Sequence, residues 1–202
     1  QGVGMMGVSL AMASYLHALD YAKQRIQGSN IIEMAMKVPN PKAVPIIQHP
    51  DVRRMLLRQK SITEGIRALA FLCYYAMDRE FNAGLEQNEQ DKEYWHGMIE
   101  MLTPMVKSYC TERGMEVCSD AVQTYGGYGY CREYPVEQMM RDQKINLIYE
   151  GTNGIQAMDL LGRKLGMKKG LYFMNLLGLT QAAVAEAKGN DKLKAEAEIV
   201  EG

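Results

Sequence analysis

The chain has 202 residues, with 23 Lys+Arg against 24 Asp+Glu and a formal net charge of -1. That length can bury the core of one large or two small domains, and the balanced charge excludes the basic excess of a nucleic-acid module. No apolar run approaches the roughly 20 residues that cross a bilayer, so no membrane span is expected. At the N-terminus, Gln1 to Gly7 lacks the charged region of a signal peptide. Gln1 is not a natural start, so the chain is expected to be a piece of a longer protein.

Sixteen Met residues and few β-branched ones favour helices. Val8, Met12, Tyr15, Leu19, Ala22 and Ile26 recur at helical spacing and predict a first helix ending near Gly28. The proline-rich stretch from Val38 to Pro45 cannot be helix interior and reads as an ordered loop or linker. Pro50 suits the first turn of a second helix, whose stripe is Val52, Met55, Gln59, Ile62, Ile66, Leu69, Cys73 and Met77. A polar, mobile loop is expected over Asn82 to Asp91. Met98, Met101, Leu102, Met105 and Tyr109 mark a third helix, expected to restart at Pro104 with Thr103 as its cap. Gly126-Gly127-Tyr128-Gly129-Tyr130 reads as a tight turn. Short helical pieces follow at Val136–Asp142 and Lys144–Ile148, then helices at Gly154–Leu165 and Leu171–Lys188. Asp191–Val200 reads as a charged, poorly anchored tail. The fold class is therefore all-α: an antiparallel four-helix bundle over residues 1–165 with a helical extension over 166–202.

Four cysteines without a C-x-x-C pair fit reduced thiols in a cytosolic, hence cytoplasmic, protein. The three histidines have no partner at ligand spacing, so no metal is expected. The chemistry-bearing stretch runs from Gln123 to Leu165. Glu150, flanked by Leu147, Ile148 and Tyr149, would be partly desolvated there, which raises a carboxyl pKa and makes a general base. Gly151 frees the backbone, and Thr152 suits an N-cap. Each feature also has a plain local reading. Glu150 can complement a helix dipole, and the glycines can be an interhelical turn. Arg141-Asp142 can be a structural ion pair, Arg25 a solvated C-terminal cation, and the clustered tyrosines packing.

Taken jointly, Gln123-x-x-Gly126-Gly127-x-Gly129-Tyr130, Glu133-Tyr134-Pro135-Val136-Glu137, Met140-Arg141-Asp142 and Ile148-Tyr149-Glu150-Gly151-Thr152 resemble the C-terminal helical domain of acyl-CoA dehydrogenases. The resemblance runs from about Gly4 to Leu165. Three features are similar to the larger subgroup that includes methylmercaptopropionyl-CoA dehydrogenase: the proline-rich insertion before His49-Pro50-Asp51-Val52, the wording Thr152-Asn153-Gly154-Ile155-Gln156, and the extension past Leu165.

The resemblance implies a flavoprotein that oxidises an acyl-CoA thioester to its trans-2-enoyl form. Glu150 matches the catalytic base, removing the α-proton while the β-hydrogen leaves as hydride to the flavin. Tyr149 and Gly151 match substrate contacts. FAD contacts are implied for Thr152, Asn153 and Gly154, for Arg25 and Gln27 at the diphosphate, and for Gln123, Gly126 and Gly127 at the ADP half. Gln27 stands where the family usually has Thr, and Gly154 where many members have Gln. The Arg25 and Gln123 groups reach a neighbouring subunit's flavin in the family, so a homodimer or tetramer is implied, with electron-transferring flavoprotein as acceptor. The family's N-terminal helical and middle β-domains are not in this chain, so the chain alone is expected to be inactive. Two other readings stay open: a helical oligomerisation module with a dead site, and an acyl-CoA oxidase that passes electrons to oxygen.

Overall fold

The computed structural model describes residues 1–201. Its order is α1 (Gly2–Gln24), β1 (Ile26–Ser29), α2 (Ile31–Ala35), β2 (Ala43–Pro45), α3 (Pro50–Leu85), α4 (Glu89–Tyr125), α5 (Pro135–Asn146), α6 (Asn153–Gly162), α7 (Leu171–Lys188) and α8 (Lys194–Glu201), with 3-10 turns at Ile46–Gln48, Gly126–Tyr130 and Lys164–Gly170. The all-α class holds, with a minor two-stranded ribbon. The chain divides into two compact units, one of Gln1–Leu72 with Met105–Gln156, the other of Cys73–Pro104 with the chain from Ala157 onwards.

The first unit is the expected antiparallel bundle. Ser14 contacts Cys118, and the Tyr125 hydroxyl donates to the His17 carbonyl, so α1 runs parallel to α4. Gln59 pairs with Thr124 and the Ile66 carbonyl with Cys110, so α3 runs against α4. Gln143 donates to the Thr111 carbonyl and Met139 meets Ser14, so α5 runs against both α4 and α1.

The buried face of α1 differs from the expected one. It is Gly4, Gly7, Val8, Ala11, Ser14, Ala18 and Ala22, whereas Met12 and Leu16 are exposed. Close approach to α4 selects this face. A Cβ on Gly4 would lie 2.5 Å from Val106, and one on Gly7 would lie 3.1 Å from the Cys110 carbonyl. Small side chains let the two backbones pack tightly, and the larger apolar groups turn outward. By length and composition α1 is apolar enough to cross a bilayer, contrary to expectation, and a third of its apolar window is buried in the bundle.

Helix α1 stops at Gln24 rather than near Gly28, because Arg25 is extended (φ -70, ψ 114). The next residues form β1, which pairs antiparallel with β2, Ile26 opposite Pro45 and Ser29 opposite Ala43. The proline-rich stretch thus supplies an edge strand, a position that tolerates a missing N–H. Ala18, Ala22, Ile46, Leu56, Ala121, Tyr125 and Val136 form a core cluster beneath it. Further on, the two short pieces expected after the glycine turn are one helix, α5.

The expected loop over Asn82–Asp91 is largely helix. Only residues 86–88 are non-helical, and the Asn88 side chain caps α4 by accepting from the Asp91 N–H at 3.1 Å. The expected restart at Pro104 is also corrected, since α4 runs through it. Pro104 has no N–H for the Glu100 carbonyl four residues back. In the second unit that carbonyl instead accepts from buried Lys164 at 2.7 Å, and Lys164 also pairs with the Glu100 carboxylate at 3.2 Å. Tyr172 is buried there against Gly97. The tail is α8, packed on α7 with Ala197 buried, rather than a loose segment.

Candidate functional site

The predicted residues fall into two groups, both within the first unit. The first is the loop between α5 and α6. The Asn153 N–H donates to the Leu147 carbonyl at 3.2 Å and closes its base. At its apex, Glu150 and Gly151 both take left-handed backbone, φ 55 and φ 82. Left-handed backbone favours glycine at 151, and a Cβ there would displace the Gln156 amide, whose Nε2 would lie 2.8 Å away. The Gln156 side chain donates to the Glu150 and Gly151 carbonyls, each at 3.4 Å. Thr152 caps α6, its hydroxyl accepting from the Ile155 N–H at 3.3 Å.

Glu150 is exposed, so the desolvation expected from its apolar neighbours is absent from this chain. Those neighbours turn elsewhere. Tyr149 donates to Asn146 Oδ1 at 2.8 Å and lies 3.3 Å from Met6 Sδ, while Ile148 is exposed. The Asn153 side chain turns into the bundle, accepting from Lys107 and donating to Glu112. Gly154 is open, with only the Thr152 hydroxyl within 4 Å of a Cβ position.

The second group lies where α1, β1, α3 and the end of α4 meet. Arg25, Gln27, Gln123 and Gly126 line one cleft of about 480 Å³, with His49 and Tyr21. Arg25 is not simply solvated. Its guanidinium lies over the Tyr128 ring at 5.1 Å, and its Nε donates to Gln27 Oε1 at 3.4 Å. Tyr128 stacks on Tyr134, and Tyr125 stacks on Tyr21 at 4.0 Å between centroids. These tyrosines are the packing that carries the arginine. Gly126 is left-handed, φ 64, and neither Gly126 nor Gly127 has any atom within 4 Å of a Cβ position. Bare backbone beside a guanidinium suits a phosphate-bearing or flat ligand. His49 braces the strand, its Nε2 lying 2.7 Å from the Gln27 carbonyl.

The chain does not bring the two groups together. Tyr149 sits beside Met6 near the start of α1 and Arg25 follows its end, so the groups are separated by about 28 Å along the helix. The expected Arg141–Asp142 pair is replaced by Arg141–Glu137 at 3.2 Å, while Asp142 accepts from Gln138. Gln156 and His49 stand in the quoted motifs without an assigned role, and Lys107 stands in none. The apolar stripe of α4 gives no signal for Lys107, which lies off it and is buried by the fold.

Cys73, Cys110 and Cys118 are buried thiols, and Cys131 is exposed. Burial pushes the Cys118 thiol up to about 11, so it stays protonated at neutral pH. Among the described residues no group of three His, Cys, Asp or Glu could hold a metal ion.

The family description "Acyl-CoA dehydrogenase, C-terminal domain" matches residues 35–165. The chain is 43% identical over 187 residues to 3-methylmercaptopropionyl-CoA dehydrogenase of Ruegeria pomeroyi, covering 91% of this chain and 30% of that protein. It is 38% identical over 185 residues to a butyryl-CoA dehydrogenase of Syntrophomonas wolfei, covering 92% and 29%. The solved butyryl-CoA dehydrogenase of Megasphaera elsdenii superposes with a TM-score of 0.59 at 29% identity, over 81% of this chain and 35% of that one. The chain belongs to the acyl-CoA dehydrogenase family and carries its C-terminal domain. It spans under a third of the length of these curated relatives.

Proposed function

We propose that this chain is the C-terminal part of an FAD-dependent acyl-CoA dehydrogenase and supplies the base of the reaction, Glu150. The observation that carries the reading is the apex of the α5–α6 loop, where Glu150 and Gly151 hold consecutive left-handed backbone. That geometry presents a carboxylate outward on a braced turn, in a chain whose family acts on acyl-CoA thioesters.

The α-proton of a thioester is weakly acidic, so the base must meet it in a dry, fixed geometry. Glu150 takes that proton. Tyr149 and Gly151 flank the acyl group, and Gly151 lets the substrate approach the backbone. The cleft residues fit FAD: Arg25 would pair with its diphosphate, Gln27 and Gln123 would bond its polar edges, and the open backbone at Gly126 and Gly127 would face the ADP half. Thr152, Asn153 and Gly154 would meet the flavin through backbone or hydroxyl, because the Asn153 amide is spent inside the bundle. FAD supplies the two-electron acceptor when bound, and electron-transferring flavoprotein takes the electrons onward.

The chain spans under a third of its relatives' length and its Glu150 is exposed, so it is inactive alone. The site forms between subunits of a homodimer or tetramer and is dried by bound substrate.

The test uses the full-length protein. Anaerobic addition of mixed acyl-CoA thioesters bleaches the flavin band of the wild type. Glu150→Gln keeps its flavin and loses the bleaching rate by at least about 100-fold. A Glu150→Gln protein that still bleaches ends the base assignment. Rapid recolouring in air would make the enzyme an oxidase, and a protein that takes up no flavin would make the bundle an assembly module.

A further inference from the structure

The loop that carries Glu150 is held from beneath by a lysine to which the reaction above gives no task. Lys107, on α4, is only 4% exposed. A buried ammonium is unfavourable unless it is fully bonded. Burial pushes its pKa down, and the nearby Glu112 carboxylate pushes it back up. Its Nζ donates to Asn153 Oδ1 at 2.9 Å. The other side of the same amide donates to Glu112 Oε2 at 2.6 Å and to the Thr111 hydroxyl at 3.2 Å. A cation and an anion on α4 thus grip the two ends of one amide, which fixes both its position and its orientation.

Asn153 is also the residue whose N–H closes the loop onto Leu147. Glu150 sits above that closure in a backbone region that side chains disfavour by about 1–2 kcal/mol. Such a conformation persists only where its surroundings hold it. The Gln156 amide holds the two apex carbonyls from α6, and Lys107 on α4 holds Asn153 at the base.

We propose that Lys107 is a positioning residue for Glu150: through the Asn153 amide it fixes the loop that presents the carboxylate. This rests on Glu150 being the base. Misplacing a reacting group by about 1 Å costs on the order of 100-fold in rate, so loosening the grip lowers turnover while leaving substrate affinity nearly intact.

The experiment uses the full-length protein with its flavin. Lys107→Met keeps the length of the buried stem and removes the charge and the donors. The expected result is turnover down about 10- to 100-fold with KM within about threefold of the wild type. Backbone hydrogen exchange, followed by mass spectrometry, becomes faster over residues 147–156 and stays unchanged over residues 58–72. Glu112→Leu removes the acceptor at the other end of the amide from an exposed position, so it gives the same pattern should Lys107→Met fold poorly. Wild-type turnover in Lys107→Met, or lost turnover with unchanged exchange over 147–156, overturns the proposal. So does a loss that appears wholly in KM or in flavin content. Glu150→Gln is measured alongside. If it stays active, the base reading fails and the proposal falls with it. If it is inactive while Lys107→Met is normal, only the proposal fails.

Discussion

Two neighbouring glycines separate conformational need from ligand contact. Gly126 is left-handed (φ 64) with open space around it, whereas Gly127 has open space and ordinary backbone. Gly126→Ala therefore costs about 1–2 kcal/mol from backbone alone. Gly127→Ala leaves stability within about 0.5 kcal/mol, because its methyl meets no protein atom. If the ADP half of FAD lies against this turn, Gly127→Ala nonetheless weakens flavin retention in the full-length protein. Unchanged urea midpoints with a raised flavin dissociation constant would support that placement, and unchanged flavin affinity would remove Gly127 from the site. The same contrast marks what single residues disclose in sequence. Glu150 and the glycines are legible because their words recur in a fixed order. Lys107 is not, because its role depends on which way a helix turns its side chain toward a loop 46 residues further on, and the role of Gln156 depends on α6 turning its amide back to the loop just before it. The desolvation expected for Glu150 failed for a related reason. Apolar neighbours in sequence do not enclose a carboxylate when the loop points them elsewhere.

Long periodic segments read well at the level of elements, and the differences lie at breaks and at close helix contacts. Polarity predicts a long loop over Asn82–Asp91, where the break is only residues 86–88 with Asn88 capping α4, and the proline predicts a restart at 104, where α4 runs on. Pro104 orphans the Glu100 carbonyl, and Lys164 replaces the missing N–H. Lys164→Met should cost about 1–3 kcal/mol by leaving that carbonyl without its charged partner. In a Pro104→Ala background the main-chain N–H returns, so the same substitution should cost less by at least about 0.5 kcal/mol. Urea unfolding of the four proteins of this cycle measures the difference, and simple additivity would mean that Lys164 serves only its carboxylate partners, Glu100 and Asp159. The buried face of α1 was misread because periodicity weights Met and Leu above Gly and Ala, whereas close helix contact selects the reverse. In the same unit as Lys164, burial and then the hydrogen bond to Glu93 push the Tyr172 hydroxyl from 10.0 up to about 12. The folded value lies above the unfolded one, so the fold favours the neutral phenol. Its contribution is complete below pH 10 and is lost as pH rises toward 12. Tyr172→Phe should flatten the fall in stability across that window, read as thermal midpoint against pH. An equal fall in both proteins would assign it to other groups.

On the scale of the whole molecule, the separation of the two groups of site residues bears on the proposal that the site forms between subunits. About 28 Å of α1 lies between the Glu150 loop and the Arg25 cleft. If each flavin takes its diphosphate contacts from one subunit and its base from another, two defective proteins can restore each other. Consider full-length Arg25→Glu, which repels the diphosphate, and full-length Glu150→Gln, which lacks the base. Each is inactive as a homo-oligomer. When they are co-expressed in equal amounts, half of the subunit pairs are mixed. Each mixed pair contains one site carrying both lesions and one site carrying neither. Activity should then recover to about a quarter of the wild type. The recovered activity should co-purify with doubly tagged mixed oligomers and be missing from either singly tagged pool. If Arg25 and Glu150 of one subunit serve the same flavin, every site in a mixed pair carries one lesion, and no recovery occurs at any mixing ratio. The ratio of recovered to wild-type activity therefore reads out which subunit completes which site.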